Sequence, residues 1–207
     1  MKALRFRLAA WRNDDNLLAR RSAMKADLLA ELGGKRVAIV GNARALANTD
    51  QGAAIEAADL IIRINRAPMP NPRSHGSRTD WLALATSLPR DEYEALGAQR
   101  LLWMSHKRKR LRLWMAQTAG YYLSPARDFN ILAARLNARP TTGALVIQLV
   151  ADSAAGQIDL HGFDFFASRS LSGARDASAV PHDFNAEGAW VDRLLRDDPR
   201  VTLHQME

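Results

Sequence analysis

The chain has 207 residues, 47% of them hydrophobic, and no cysteine. That is a length for one domain with a sizeable core, without disulfides or thiolate–metal sites, as suits a reducing cytoplasm. Lys and Arg number 29 against 22 Asp and Glu, a net charge of +7, which favours anionic partners such as nucleic acid, an acidic membrane surface or a phosphorylated small molecule.

No apolar run reaches the roughly 18 residues of a transmembrane helix. The opening MKALRFRLAAWR lacks the continuous apolar segment and cleavage site of a signal peptide. Residues 1–34 read as a basic amphipathic N-terminal helical segment and 35–207 as one domain. Asn13–Leu32 has helical spacing, with Asn13 or Asp14 placed to cap its start and Gly33-Gly34 its end. Strands are predicted at Val37–Val40, Leu60–Ile64, Trp81–Leu84, Leu101–Met104, Tyr121–Leu123, Ile158–Leu160 and Val201–Leu203. Helical patterns fall between them at Gln51–Ala58, Asp91–Leu96, Arg108–Gln117, Ala126–Leu136, Gly143–Asp152 and Asn185–Leu195. This alternation predicts an α/β fold: a Rossmann-like, mostly parallel sheet with helices on both faces.

Val37–Leu46, VAIVGNARAL, runs a β-prone segment into Gly41-Asn42, the way a parallel strand delivers its end to a phosphate site. Neither standard fingerprint is present. Gly41 is the only glycine between Arg36 and Asp50, which breaks GxGxxG, and GxxxxGK(S/T) occurs nowhere. Two long non-periodic segments, Asn65–Arg78 and Phe166–Pro181, follow strand ends, the side on which such sheets bind ligands.

Val40-Gly41-Asn42, Arg63-Ile64-Asn65 and Gly76–Asp80 (GSRTD) together resemble the large sialylmotif of glycosyltransferase family 29, the eukaryotic-type sialyltransferases. Arg139–Ala151 (RPTTGALVIQLVA) is similar to the small sialylmotif, a Pro, two hydroxyl residues and a Gly opening a helix. His182–Glu187 (HDFNAE) fits the very small motif, His-x-x-x-x-Glu, and HGFDFF lies where the family has a strand ending in Gly-Phe. The resemblance covers roughly Lys35 to Leu195. It implies a GT-A-variant glycosyltransferase that is inverting and metal-independent, using a CMP-activated sugar acid and no further cofactor.

The resemblance also implies site roles. Gly41, Asn42, Asn65, Thr142 and Gly143 would contact the nucleotide, and Thr141 the sugar carboxylate. His182 would be the catalytic base, with Glu187 orienting it or capping the turn. The chemistry agrees: without a metal, the charge developing on the leaving phosphate needs preorganised donors, each worth about 3–4 kcal/mol in acyl-transfer enzymes. Asn42 offers a side-chain amide, and Thr141–Gly143 offer hydroxyls and N–H groups at a helix start. An imidazole with an ordinary pKa near ~6.5 suits deprotonation of an acceptor hydroxyl. The family's motif III, an aromatic-flanked His, is not evident, and Arg169 and Arg175 are the cations in that loop. Animal members join their large and small motifs by a disulfide at positions that fall near Val37 and Ala155 here, where a packed apolar contact would replace it.

Each feature also has a structural reading. Gly41-Asn42 serves as a strand-to-helix turn, Thr141 as an N-cap, and His182-Asp183 as a loop pair before a capped helix. Arg63 reads as part of a structural ion pair and His161 as a structural strand end, while His75, His106 and His204 have no evident partners. No Asp-x-Asp pair closes a strand and no two histidines stand at ligand spacing, so no metal is expected. The basic run His106–Trp114 reads as a solvated helix face or as a contact with an anionic membrane, and the basic N-terminus with Phe6, Leu8 and Trp11 points the same way. Nucleic acid is not expected, because no recognised module accompanies the charge.

Taken together, the sequence predicts transfer of a sialic acid, or the sister acid Kdo, from a CMP donor to a hydroxyl of a glycan or glycolipid. The enzyme would be cytoplasmic and peripheral at the inner membrane face. The alternative is a catalytically impaired basic protein binding anionic lipid or nucleic acid. An oxidoreductase ranks below both for want of the glycine fingerprint and an acidic ribose partner.

Overall fold

The computed structural model describes residues 3–164 and 183–206. Seven strands, β1 (Arg36–Val40), β2 (Leu60–Ile64), β3 (Trp81–Leu84), β4 (Arg100–Trp103), β5 (Tyr121–Leu123), β6 (Gln157–His161) and β7 (Val201–Leu203), form one wholly parallel sheet. Their order is β5-β4-β3-β2-β1-β6-β7. The chain builds outward from β1 to one edge, then returns to β1's other side, so the direction reverses between β1 and β6. In open parallel sheets that reversal opens the ligand crevice at the strands' C-terminal ends. Val40 pairs with both Arg63 and His161, which brings the ends of β1, β2 and β6 level there.

Nine helices cover the sheet among the described residues: α1 (Ala3–Arg12), α2 (Asp15–Leu18), α3 (Lys25–Leu32), α4 (Gly52–Glu56), α5 (Pro72–His75), α6 (Arg90–Ala95), α7 (Ala126–Leu136), α8 (Thr142–Ala151) and α9 (Phe184–Asp197). On one face Leu28, Leu132, Val146 and Trp190 from α3, α7, α8 and α9 pack with Val37, Ile39, Ile62 and Trp81. The other face carries two smaller clusters. Phe6, Leu18 and Tyr93 join Leu82 and Trp103, and Leu46 and Ile55 join Ala38, Val40 and Ile61. Successive strand side chains point to opposite faces, so covering both faces buries all of Val37–Val40. Each such large apolar side chain contributes about 1.5–3 kcal/mol. Val37 and Ala155 share the larger cluster.

The expected strands agree with the observed ones to within a residue. Two expected helices do not survive. Asn13–Leu32 is broken: Asp14 caps α2 by accepting from Leu17 N, a 3-10 turn spans Ala19–Arg21, and the chain then runs extended before α3. The cause is the edge strand β5. Ser22 Oγ accepts from Leu123 N–H at 2.9 Å and Ala23 N–H donates to Tyr121 O at 2.7 Å, which draws these residues out of helical geometry. Arg108–Gln117 is likewise two short turns, Arg108–Arg110 and Met115–Gln117. Arg108 does not belong to a solvated face. It is 1% exposed, forked onto the Asp15 carboxylate at 2.7 Å, and donates to Ser105 O and Ser124 O.

Candidate active site

At the end of β1, Gly41 N–H donates to His161 O at 2.8 Å and Ala43 N–H to Gly162 O at 3.1 Å. A Cβ on Gly41 would collide with the Gly162 carbonyl, so glycine is what lets the ends of β1 and β6 meet. Asn42 follows, half-buried, and its Nδ2 donates to Ile64 O at 3.1 Å. Asn65 comes next after Ile64 in a left-handed conformation, φ 57°, one that asparagine tolerates. Its Oδ1 accepts from Ala85 N–H at 3.1 Å and its own N–H donates to Ala83 O. The two asparagines thus staple β1 to β2 and β2 to β3 along the crevice.

The small-motif stretch reaches the same place. Thr141 caps α8, its Oγ1 accepting from Ala144 N–H at 3.1 Å. At the first turn the N–H groups of Thr142 and Gly143 have no partner inside the helix, and the helix dipole favours an anion there. A Cβ on Gly143 would lie 2.8 Å from the Phe163 ring and 3.6 Å from Ile64, and one on Gly41 would lie 3.4 Å from the same ring. Phe163, in the loop after β6, is therefore the ring that both Gly41 and Gly143 make room for, and Ile64, the neighbour of Asn65, lies beside Gly143. The sequence pointed to it only as the Phe of a Gly-Phe strand end.

Glu187 on α9 is 4% exposed and faces Thr141. Oε1 accepts from Thr141 N–H at 2.5 Å and Oε2 from Thr141 Oγ1 at 2.8 Å. Burial pushes its carboxyl up to about 7, opposed in part by these bonds. It joins α9 to the start of α8. The Thr141 hydroxyl gives its proton to Glu187 and a lone pair to the helix, so this side chain is engaged within the protein at the start of α8. His182, Arg169 and Arg175 lie outside the described residues. Asp183, the residue after His182, caps α9 by accepting from Ala186 N–H at 2.9 Å.

Arg63 is structural, but its partners are carbonyls and not a carboxylate. Only 1% exposed, it donates to Arg78 O at 2.8 Å and His75 O at 2.7 Å, and burial lowers its pKa to about 10. His161 and His204 form a pair that the sequence did not reveal. Their rings stack 4.0 Å apart, His204 Nε2 meets Asp159 at 2.8 Å, and His161 Nδ1 meets Gln51. In the loop after β4, His106 packs on Phe129. Burial, then the charges of Arg139, Lys107, Arg108 and Arg110, hold its pKa below the ordinary value. Arg139 heads the Pro-Thr-Thr-Gly stretch, a position that could have marked it in the sequence. Among the described residues no three His, Asp or Glu side chains gather as a metal set.

The sequence profile of glycosyltransferase family 29 (sialyltransferase) matches residues 13–118. The chain belongs to glycosyltransferase family 29. The span shared with the family holds Gly41, Asn42, Arg63 and Asn65, while Thr141–Gly143 and Glu187 lie beyond it. No curated protein matches the chain at a significant level. Among solved structures, a mammalian sialyltransferase in complex with Gal-beta-1-3GalNAc-ortho-nitrophenol is 17% identical, with a TM-score of 0.62 over 98% of this chain and 85% of that one. The sialyltransferase CstII from Campylobacter jejuni, in complex with the substrate analogue CMP-3FNeuAc, is 15% identical, with a TM-score of 0.54 over 82% of this chain and 80% of that one. CstII with a trisaccharide acceptor and CMP gives 17% and 0.56 over the same shares. At these identities the likeness speaks for the fold, the α/β architecture predicted from the alternating elements. Family membership makes the chain a glycosyltransferase of the sialyltransferase kind.

Proposed function

We propose that this glycosyltransferase moves a sialic acid, or the related acid Kdo, from a CMP donor to a hydroxyl of a glycan or glycolipid, with inversion and without a metal. One observation carries the reading: Asn42, Asn65 and Thr141–Gly143 converge at the crevice where the sheet reverses direction. Amides, hydroxyls and a helix start suit a single phosphate whose charge grows as it leaves. CMP is taken as the nucleotide because structural relatives were solved with it.

In this reading Asn42 and Asn65 hold the cytidine monophosphate, with Gly41 allowing its close approach. The start of α8 at Thr142-Gly143 meets the phosphate, and Glu187 fixes Thr141 and through it that helix start. His182 takes the proton of the acceptor hydroxyl as its oxygen bonds to the anomeric carbon. The bond from that carbon to the phosphate oxygen breaks, and CMP leaves with the electron pair.

Calorimetric titration with CMP, followed by assays with CMP-sialic acid and CMP-Kdo, tests the reading. Saturable CMP binding is expected in the wild type and not in Asn42→Ala. His182→Ala should bind CMP and transfer nothing, and activity should survive EDTA. A wild type that binds no CMP favours the basic peripheral alternative. Full turnover in His182→Ala removes the base assignment, and EDTA inhibition reversed only by a divalent ion removes metal independence.

A further inference from the structure

Helix α1 is apolar on two sides. Phe6, Ala9 and Ala10 are buried against the domain, whereas Leu4, Leu8 and Trp11 are 72%, 46% and 73% exposed. At about 100° per residue, the exposed three form a stripe opposite the buried three. Arg7 runs along one flank of that stripe, and Arg5 and Arg12 along the other. A surface helix that only packs on its own domain needs one apolar stripe. A second, edged by arginines, is the pattern of a helix lying in the headgroup layer, with apolar side chains at the acyl boundary and cations among phosphates.

The 3-10 turn Arg108–Arg110 packs against α1 and adds exposed Lys109 and Arg110. That turn follows the C-terminal end of β4, so this surface adjoins the edge of the sheet at which Asn42 and Asn65 lie. We propose that α1 and this basic turn dock the protein on an anionic lipid bilayer. Nucleic acid would satisfy the cations and leave the apolar stripe in water. A second copy of the chain would cover the stripe and set two arginine rims against each other. An anionic bilayer satisfies both features. No helix among the described residues is long and apolar enough to cross a membrane, so the contact proposed is with the surface. It stands whether or not the donor is CMP-linked.

Co-sedimentation of the full chain with vesicles of phosphatidylcholine, with and without phosphatidylglycerol, tests the proposal. Pelleting is expected with phosphatidylglycerol, weakly without it, and less as salt rises. Replacing Arg5, Arg7 or Arg12 with Gln should lower the partition coefficient about fivefold each. Leu4→Ser/Leu8→Ser/Trp11→Ser should lose binding while unfolding at the wild-type midpoint, because those side chains are already exposed. The proposal is overturned by equal pelleting with both vesicle types, by no pelleting with either, or by binding that neither set of variants diminishes. Binding only to a duplex oligonucleotide, or a stripe-dependent dimer without vesicle binding, overturns it as well.

Discussion

Both oxygens of the Glu187 carboxyl are taken by a single residue, Thr141, and burial raises its pKa from 4.5 to about 7. The folded state therefore holds this proton more tightly than the unfolded chain does. The associated stability is complete below pH 4.5 and is lost as pH rises through about 7, by roughly 3 kcal/mol. Glu187→Gln keeps an acceptor for the Thr141 N–H and removes the titration. Urea unfolding between pH 4.5 and 7 is expected to show a slope of stability against pH that is more positive in the variant than in the wild type, by the contribution of this one proton. An unchanged slope would mean that this carboxyl is not its source.

Among the elements, the junction of β1 with β6 and the brace from α2 to the loops after β4 and β5 carry the strongest local demands. Gly41→Ala sets a methyl against a backbone carbonyl that cannot move without shifting the end of β6, an expected cost of about 2–3 kcal/mol. Gly143→Ala comes closer than 3.0 Å only to a Phe163 ring edge, a side chain and not backbone, so it should cost less. Urea midpoints rank the two, and the reverse order would refute the assignment of Gly41 to close packing. In the brace, Asp15→Ala strands the buried Arg108. The loss expected is about 2 kcal/mol, below the about 3–5 kcal/mol of fully buried pairs because the Asp15 side chain is 36% exposed. Adding Arg108→Met removes the stranded charge and should restore most of that stability.

For the whole molecule, two buried groups set opposite pH slopes. Burial lowers His161 from 6.5 to about 3, so the unfolded chain binds this proton more readily, and its contribution to stability is lost as pH falls from 6.5 towards 3. Asp159 adds to the acid loss: burial raises its pKa, but hydrogen bonds from His204, Arg36 and Gln157 hold it below the ordinary value. Between pH 4.5 and 6.5 the Glu187 slope opposes that of His161, to whose side His75 and His106, both held below the ordinary value chiefly by burial, add. Wild-type unfolding free energy should decline on the acid side. Over that range Glu187→Gln should make the slope against pH more positive, and His161→Phe should make it more negative. Changes of the same sign would contradict the assignment.

What the amino-acid sequence determined by itself was local. A strand covered on both faces must be apolar at nearly every position, so Leu60–Ile64 and Trp81–Leu84 were legible from composition alone, and the order of strands and helices led to the parallel sheet. The residues at the crevice were legible too, because Gly41-Asn42, Asn65 and Thr141–Gly143 each sit where a strand or helix visibly begins or ends. Only the tertiary structure decided the break at Ser22, whose partner Leu123 is 101 residues away, and the inward turn of Arg108 to Asp15, 93 residues away. It alone paired Glu187 with Thr141 across 46 residues and stacked His161 on His204. Helical spacing reports on neighbours within a turn or two. A buried polar group takes its conformation from whichever distant partner satisfies it, and that partner exists only once the sheet has closed.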